Sequence, residues 1–146
     1  MNLQRTTHLI LTALPRAIHR RGFGIHSPWA YELIRDVFFE RHHYYAYQDK
    51  QLNTRQEQQL FRIQNHYRNH PITIIEKKGQ EAANQYKKAL QNTTPSTILI
   101  IEHIHHHNAA LWQYIVNDPN AIVTFDLGRR GIVTFDPKRI KQNYLL

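Results

Sequence analysis

Apolar and polar positions along the chain keep a helical period as far as Pro71 and then alternate between short continuous runs and helical stripes, and each change marks a change of element type. Over residues 3–20 the apolar positions Leu9, Ile10, Ala13, Leu14, Ala17 and Ile18 recur every three to four residues, the period of an amphipathic helix, which Pro15 kinks. His19, Arg20 and Arg21 suit the negative end of that helix, and Gly22 a stop. A covering helix is the plain reading; a basic helix on a membrane surface or a phosphate is the other. After the loop Gly22-Phe23-Gly24-Ile25-His26, Ser27 and Pro28 are the residue types of an N-cap and a first helical position. The helix they open runs to about residue 40 and buries Ala30, Leu33, Ile34, Val37 and Phe38. Residues 42–47 are aromatic-rich without a clear period, which fits a packed crossing segment or a platform for bases or sugars. Asn53 or Thr54 starts another helix, to about residue 69, with Leu60, Ile63 and Tyr67 on its apolar stripe.

From Pro71 the apolar runs become short and continuous. Residues 72–75 predict a buried strand, and residues 79–91 a helix that turns Ala82, Ala83, Tyr86, Ala89 and Leu90 inward. The turn Asn92-Thr93-Thr94-Pro95-Ser96 leads into Ile98-Leu99-Ile100-Ile101, an aliphatic run that suits a strand covered on both faces. Asn108 can cap the next helix, through Leu111, Trp112, Ile115 and Val116. Residues 121–127 and 131–136 then form a hairpin joined by Gly128-Arg129-Arg130-Gly131, and both arms carry Ile-Val-Thr-Phe-Asp. Residues 141–146 resume as an edge strand. Strands alternating with helices imply a parallel sheet with right-handed crossovers, to which the hairpin adds an antiparallel strand.

Composition narrows the classes. A chain of 146 residues, 41% hydrophobic, suits one domain with one core, arranged as a helical cover (1–70) on an α/β core (71–146). It has no cysteine, so disulfides, thiolate metal sites and cysteine nucleophiles are excluded. The run 9–14 is too short and lacks a cleavage pattern for a signal peptide, and no stretch approaches a membrane span, so a cytoplasmic protein is the expectation. The net charge of +8 attracts anionic partners, but the cations are scattered rather than gathered in a tail.

The candidate chemistry sits where the buried run ends, in Glu102-His103-Ile104-His105-His106-His107. Ligands of open α/β sheets bind beyond the carboxyl ends of such strands. Glu102, His103 and His105 are the inventory of a two-His-one-carboxylate site, and imidazole favours Zn²⁺, Ni²⁺ or Fe²⁺ over Mg²⁺. In an extended strand, however, His103 and His105 share a face that Glu102 does not, so a bend is required and no metal is expected. The alternative is acid–base work, with His105 or His103 as general base and Glu102 orienting it.

Both ends of the chain resemble a known family. Gly24-Ile25-His26-Ser27-Pro28-Trp29-Ala30-Tyr31 resembles the H-G-[VI]-H-S-P-F-x-[YF] signature of bacterial class I S-adenosylmethionine-dependent methyltransferase-like proteins, and Tyr44-Tyr45-Ala46-Tyr47 and Leu60-Phe61-Arg62 follow suit. Glu102-His103-Ile104-His105 is similar to that family's D-D-I-H strand end. Trp112, the Thr124-Phe125-Asp126-Leu127 and Gly131-Ile132-Val133 arms, and Lys141-Gln142-Asn143-Tyr144 extend the likeness. The resemblance implies a reduced Rossmann-like methyltransferase sandwich: a mainly parallel sheet of four or five strands, closed by a C-terminal antiparallel hairpin, with N-terminal helices. It also implies S-adenosylmethionine as cofactor, held near Glu76 and Gly79, and brings His26 into the candidate site.

The middle departs from the pattern. Family members hold a seven-stranded sheet and a cofactor loop E-x-G-x-x-x-G, whereas Glu76-Lys77-Lys78-Gly79 keeps one Glu and one Gly. The same segment also fits a later strand of the family, ending D-G-x-H. The expectation is therefore a degenerate methyltransferase-like protein with weak or no cofactor binding, whose substrate would be a small molecule or a protein. The alternatives left open are an active methyltransferase completed by a homo-oligomer through a sheet edge, a basic nucleic-acid-binding domain, and a His-based metal-binding protein.

Overall fold

The computed structural model describes residues 16, 19–22 and 24–146, so most of the helix expected over 3–20 lies outside the described residues. The chain divides into two compact units: residues 1–66 with Leu146, and residues 67–145.

In the first unit, α1 (Pro28–Leu33) begins as its sequence predicts, with the Ala30 amide donating to the Ser27 hydroxyl at 3.3 Å and Pro28 in the first turn. The α-helix does not continue to residue 40. At Ile34–Phe38 it widens into a π-helical turn that buries Ile34, Val37 and Phe38. Carbonyls at the end of that turn are taken up by side chains of α3 (Arg55–His66): Arg62 Nε donates to Val37 O at 2.7 Å, while Arg62 Nη2 and Gln59 Nε2 both donate to Phe38 O at 3.0 Å. Between them, α2 (Tyr45–Asp49) is a short helix, with Tyr47 buried and Tyr45 exposed. α3 opens on a reciprocal capping box. The Thr54 amide donates to Glu57 Oε2 at 2.8 Å and the Glu57 amide to Thr54 Oγ1 at 3.1 Å, which holds the Glu57 carboxyl below its ordinary pKa.

The second unit is a five-stranded mixed sheet with helices, an α/β arrangement. β1 (Ile72–Ile75), α4 (Gln80–Leu90), β2 (Ile98–Glu102), α5 (Ala109–Asn117), β3 (Val123–Asp126), β4 (Arg130–Thr134) and β5 (Gln142–Leu145) follow one another, and the sheet order is β1-β2-β4-β3-β5. β1 and β2 pair in parallel, as do β3 and β5, while β4 runs antiparallel to both of its neighbours. The hairpin therefore does not simply extend the sheet: its second arm inserts between β2 and the first arm. β2 is buried along its whole length, as its unbroken aliphatic run requires. Leu99, Ile101 and Val133 share a core with Ala82 and Tyr86 of α4 and with Leu111, Trp112 and Ile115 of α5, which sets both helices on one face of the sheet. Ile100, Ile132 and Phe125, at the alternate positions, are also fully buried.

Gly131 shows why small residues are needed in this layer. A Cβ built there would collide with the Trp112 ring, so the indole lies directly on the β4 backbone. At the other end of α5, Tyr86 donates its buried hydroxyl to Asp118 Oδ2 at 2.8 Å. Burial, then the bond to that carboxylate, pushes the phenol well above its ordinary pKa.

Candidate functional site

β1, β2, β3 and β5 end at the same end of the sheet, and β4 begins there, so the carboxyl ends of four strands and the turn into β4 lie at one end. The strand ends at Glu102. His103 then takes φ +59°, the left-handed region, and residues 104–107 form a turn. This is the bend that the alternation argument demanded, but it does not assemble a metal set. Glu102 turns to the hairpin, where Arg130 Nε donates to Oε1 at 2.7 Å and Arg129 Nε lies 3.5 Å from Oε2. Glu102 and Arg130 are both almost wholly buried, and they face each other in register across β2 and β4. His105 turns elsewhere: its Nε2 lies 2.6 Å from Oδ2 of the buried Asp126, whose Oδ1 accepts the Gly128 amide at 2.8 Å. His103 instead packs edge-on to His107, with ring centroids 5.9 Å apart. Among the described residues, no group of three or more histidine, aspartate or glutamate side chains is gathered to hold a metal ion.

The electrostatics of His103 follow from these neighbours. Burial and the Arg129 cation hold its imidazole below the ordinary pKa; Lys78 and His107 add to that push, while Glu102 opposes it.

The expected cofactor loop is built differently from a glycine cradle. Gly79 has φ +60° and precedes α4, with nothing near the position a Cβ would take, and Glu76 is exposed. Asn108 holds this loop. Its Nδ2 donates to Lys77 O and to Glu102 O, both at 2.9 Å, and its Oδ1 accepts the Gly79 amide at 2.9 Å. Asn108 is 1% exposed. It stands at the N-cap position of α5, but its side chain makes no capping bond; it fastens the end of β1 to the end of β2 instead.

Of the candidate residues, Glu102, His103, His105, Glu76 and Gly79 lie in the second unit around these strand ends. His26 belongs to the first unit, exposed in the loop before α1. Three residues that matter here escaped the sequence reading: Arg130, Asp126 and Asn108. A signal existed for two of them, because Glu102 and Asp126 both end buried strands and an unpaired carboxylate there calls for a cation or a donor. Comparison with family models, with curated proteins and with solved structures finds no match to the chain.

Proposed function

We propose that this chain is an S-adenosylmethionine methyltransferase-like protein in which cofactor binding is weak or lost, acting as a folded binding partner rather than a catalyst. The observation that carries this reading is the Asn108 clamp. A cofactor seated on the loop after β1 needs that loop's backbone groups, yet the Gly79 N–H and the Lys77 C=O are spent on Asn108. Lys77 and Lys78 occupy positions where glycine would let a ligand reach the backbone. These residues fit the cofactor poorly. Glu102, which replaces the first acid of the family's strand-end pair, is neutralised by Arg130. The order of strand, Trp-bearing helix, hairpin and edge strand agrees with what the resemblance implies. Isothermal titration with S-adenosylmethionine tests the reading: no heat of binding is expected at micromolar concentrations, and a saturable micromolar isotherm overturns it.

The His105–Asp126 pair favours a second reading, an active methyltransferase completed by another copy. A buried carboxylate against an imidazole is how proteins orient a general base. In the described sheet, β1 and β5 are the outer strands to which another copy would add. That reading requires a dimer by light scattering together with cofactor binding; a monomer that binds no cofactor ends it.

A further inference from the structure

Helices α4 and α5 pack on the same face of the sheet and leave a groove of about 350 Å³ between them, lined among others by Ala83, Lys87, His107, Ala110, Leu111 and Tyr114. That volume lies within the range of small-ligand pockets, about 300–1,000 Å³. Its floor is apolar, from buried Leu111 and Tyr86. The Tyr114 ring, 59% exposed, stands beside it, edge-on to Tyr86 at 6.2 Å. An aromatic side chain left open at the wall of a pocket suits a flat ring as ligand.

The charges at the groove have one sign. Its lining includes Lys87 and His107 and, among the described residues, no carboxylate. At one end His107 packs on His103, which feels the positive charge of Arg129 and Lys78. Three acids near the groove are already engaged. Glu81 faces Lys77 at 3.9 Å, Glu102 is held by Arg130 and Arg129, and Asp118 accepts from Tyr86. An anion at this end would meet the Lys78 ammonium and the His107 imidazole and break none of these pairs.

We propose that the α4–α5 groove binds a phosphorylated aromatic compound of nucleotide size, its ring against Tyr114 and Leu111 and its phosphate at the end formed by His107, His103 and Lys78. This site does not rest on the methyltransferase-like reading. S-adenosylmethionine carries a sulfonium cation and no phosphate, so the two ideas fail separately.

The test is a nuclear magnetic resonance titration of the isotopically labelled full chain with AMP, adenosine, inorganic phosphate and S-adenosylmethionine. AMP is expected to shift the amides of Ala83, His107, Ala110 and Tyr114 saturably, with adenosine weaker by about tenfold or more for want of charge-assisted bonds. Ala110→Trp, at an exposed position, is expected to fill the groove and abolish those shifts while the melting midpoint holds. His107→Gln with Lys78→Gln, both on the surface, is expected to lower AMP affinity by about tenfold, and serves if the Trp variant does not fold. The proposal is overturned by absence of saturable AMP shifts, by equal affinity for AMP and adenosine, or by shifts that persist in a folded Ala110→Trp chain. Inorganic phosphate reproducing the whole affinity would mean an adventitious ion only. Tighter binding of S-adenosylmethionine at the same amides would assign the groove to that cofactor instead.

Discussion

Removing the Arg130 side chain leaves Glu102 buried with the half-exposed Arg129 beside it, 3.5 Å away. Breaking a buried pair on one side costs about 3–5 kcal/mol, because the surviving charge keeps its desolvation penalty. Arg130→Ala should therefore shift the urea midpoint strongly downward, and Arg130→Met with Glu102→Leu should recover most of the loss. Recovery would show that the pair specifies the strand ends more than it stabilises them. His103 carries a different cost. Its pKa in the folded state lies below the ordinary 6.5, so the unfolded chain binds more protons in the window beneath that value. Its contribution to stability is fully present above about pH 6.5 and is lost as pH falls through the folded pKa. His103→Asn, which tolerates the left-handed φ, should lose less stability between about pH 7.5 and 5.5 than the unaltered chain, as compared by thermal melts.

At the scale of elements, the contact between Trp112 and Gly131 joins α5 to the inserted strand β4. Gly131→Ala drives a methyl group into the indole, an overpacking that costs about 1–3 kcal/mol. Chemical denaturation should show that loss, and Trp112→Leu in the same chain should relieve part of it. The elements themselves were largely legible in sequence. The aliphatic run of β2, the two Ile-Val-Thr-Phe-Asp arms and the Ala82/Tyr86 stripe carry periods that burial enforces. Other features had no local signal. The π-helical turn at Ile34–Phe38 depends on Arg62 and Gln59 from a later helix to satisfy its carbonyls. Arg130, in a glycine-flanked turn, reads as a solvated cation until the register sets it against Glu102. Asn108 reads as a cap because the cap position and the clamp position coincide.

At the scale of the whole molecule the chain forms two compact units, residues 1–66 with Leu146 and residues 67–145. Among the described residues no helix is long and apolar enough to cross a membrane. The positive charge, diffuse along the sequence, has a local face in the second unit: Lys78 and Arg129 both act on the His103 imidazole once the strand ends are folded. No periodicity could have foreshadowed that gathering, because the topology makes it.

The Asn108 clamp has a consequence for motion. Its three bonds join the loop after β1, the end of β2 and the start of α5, all through one amide group with 1% exposure. Swinging that side chain away leaves a donor and two acceptors unmatched at once, so the loops should not fluctuate singly. They open as one cooperative unit, and the Gly79 amide, at a helix start where exchange with water is ordinarily rapid, is protected for as long as that unit stays shut.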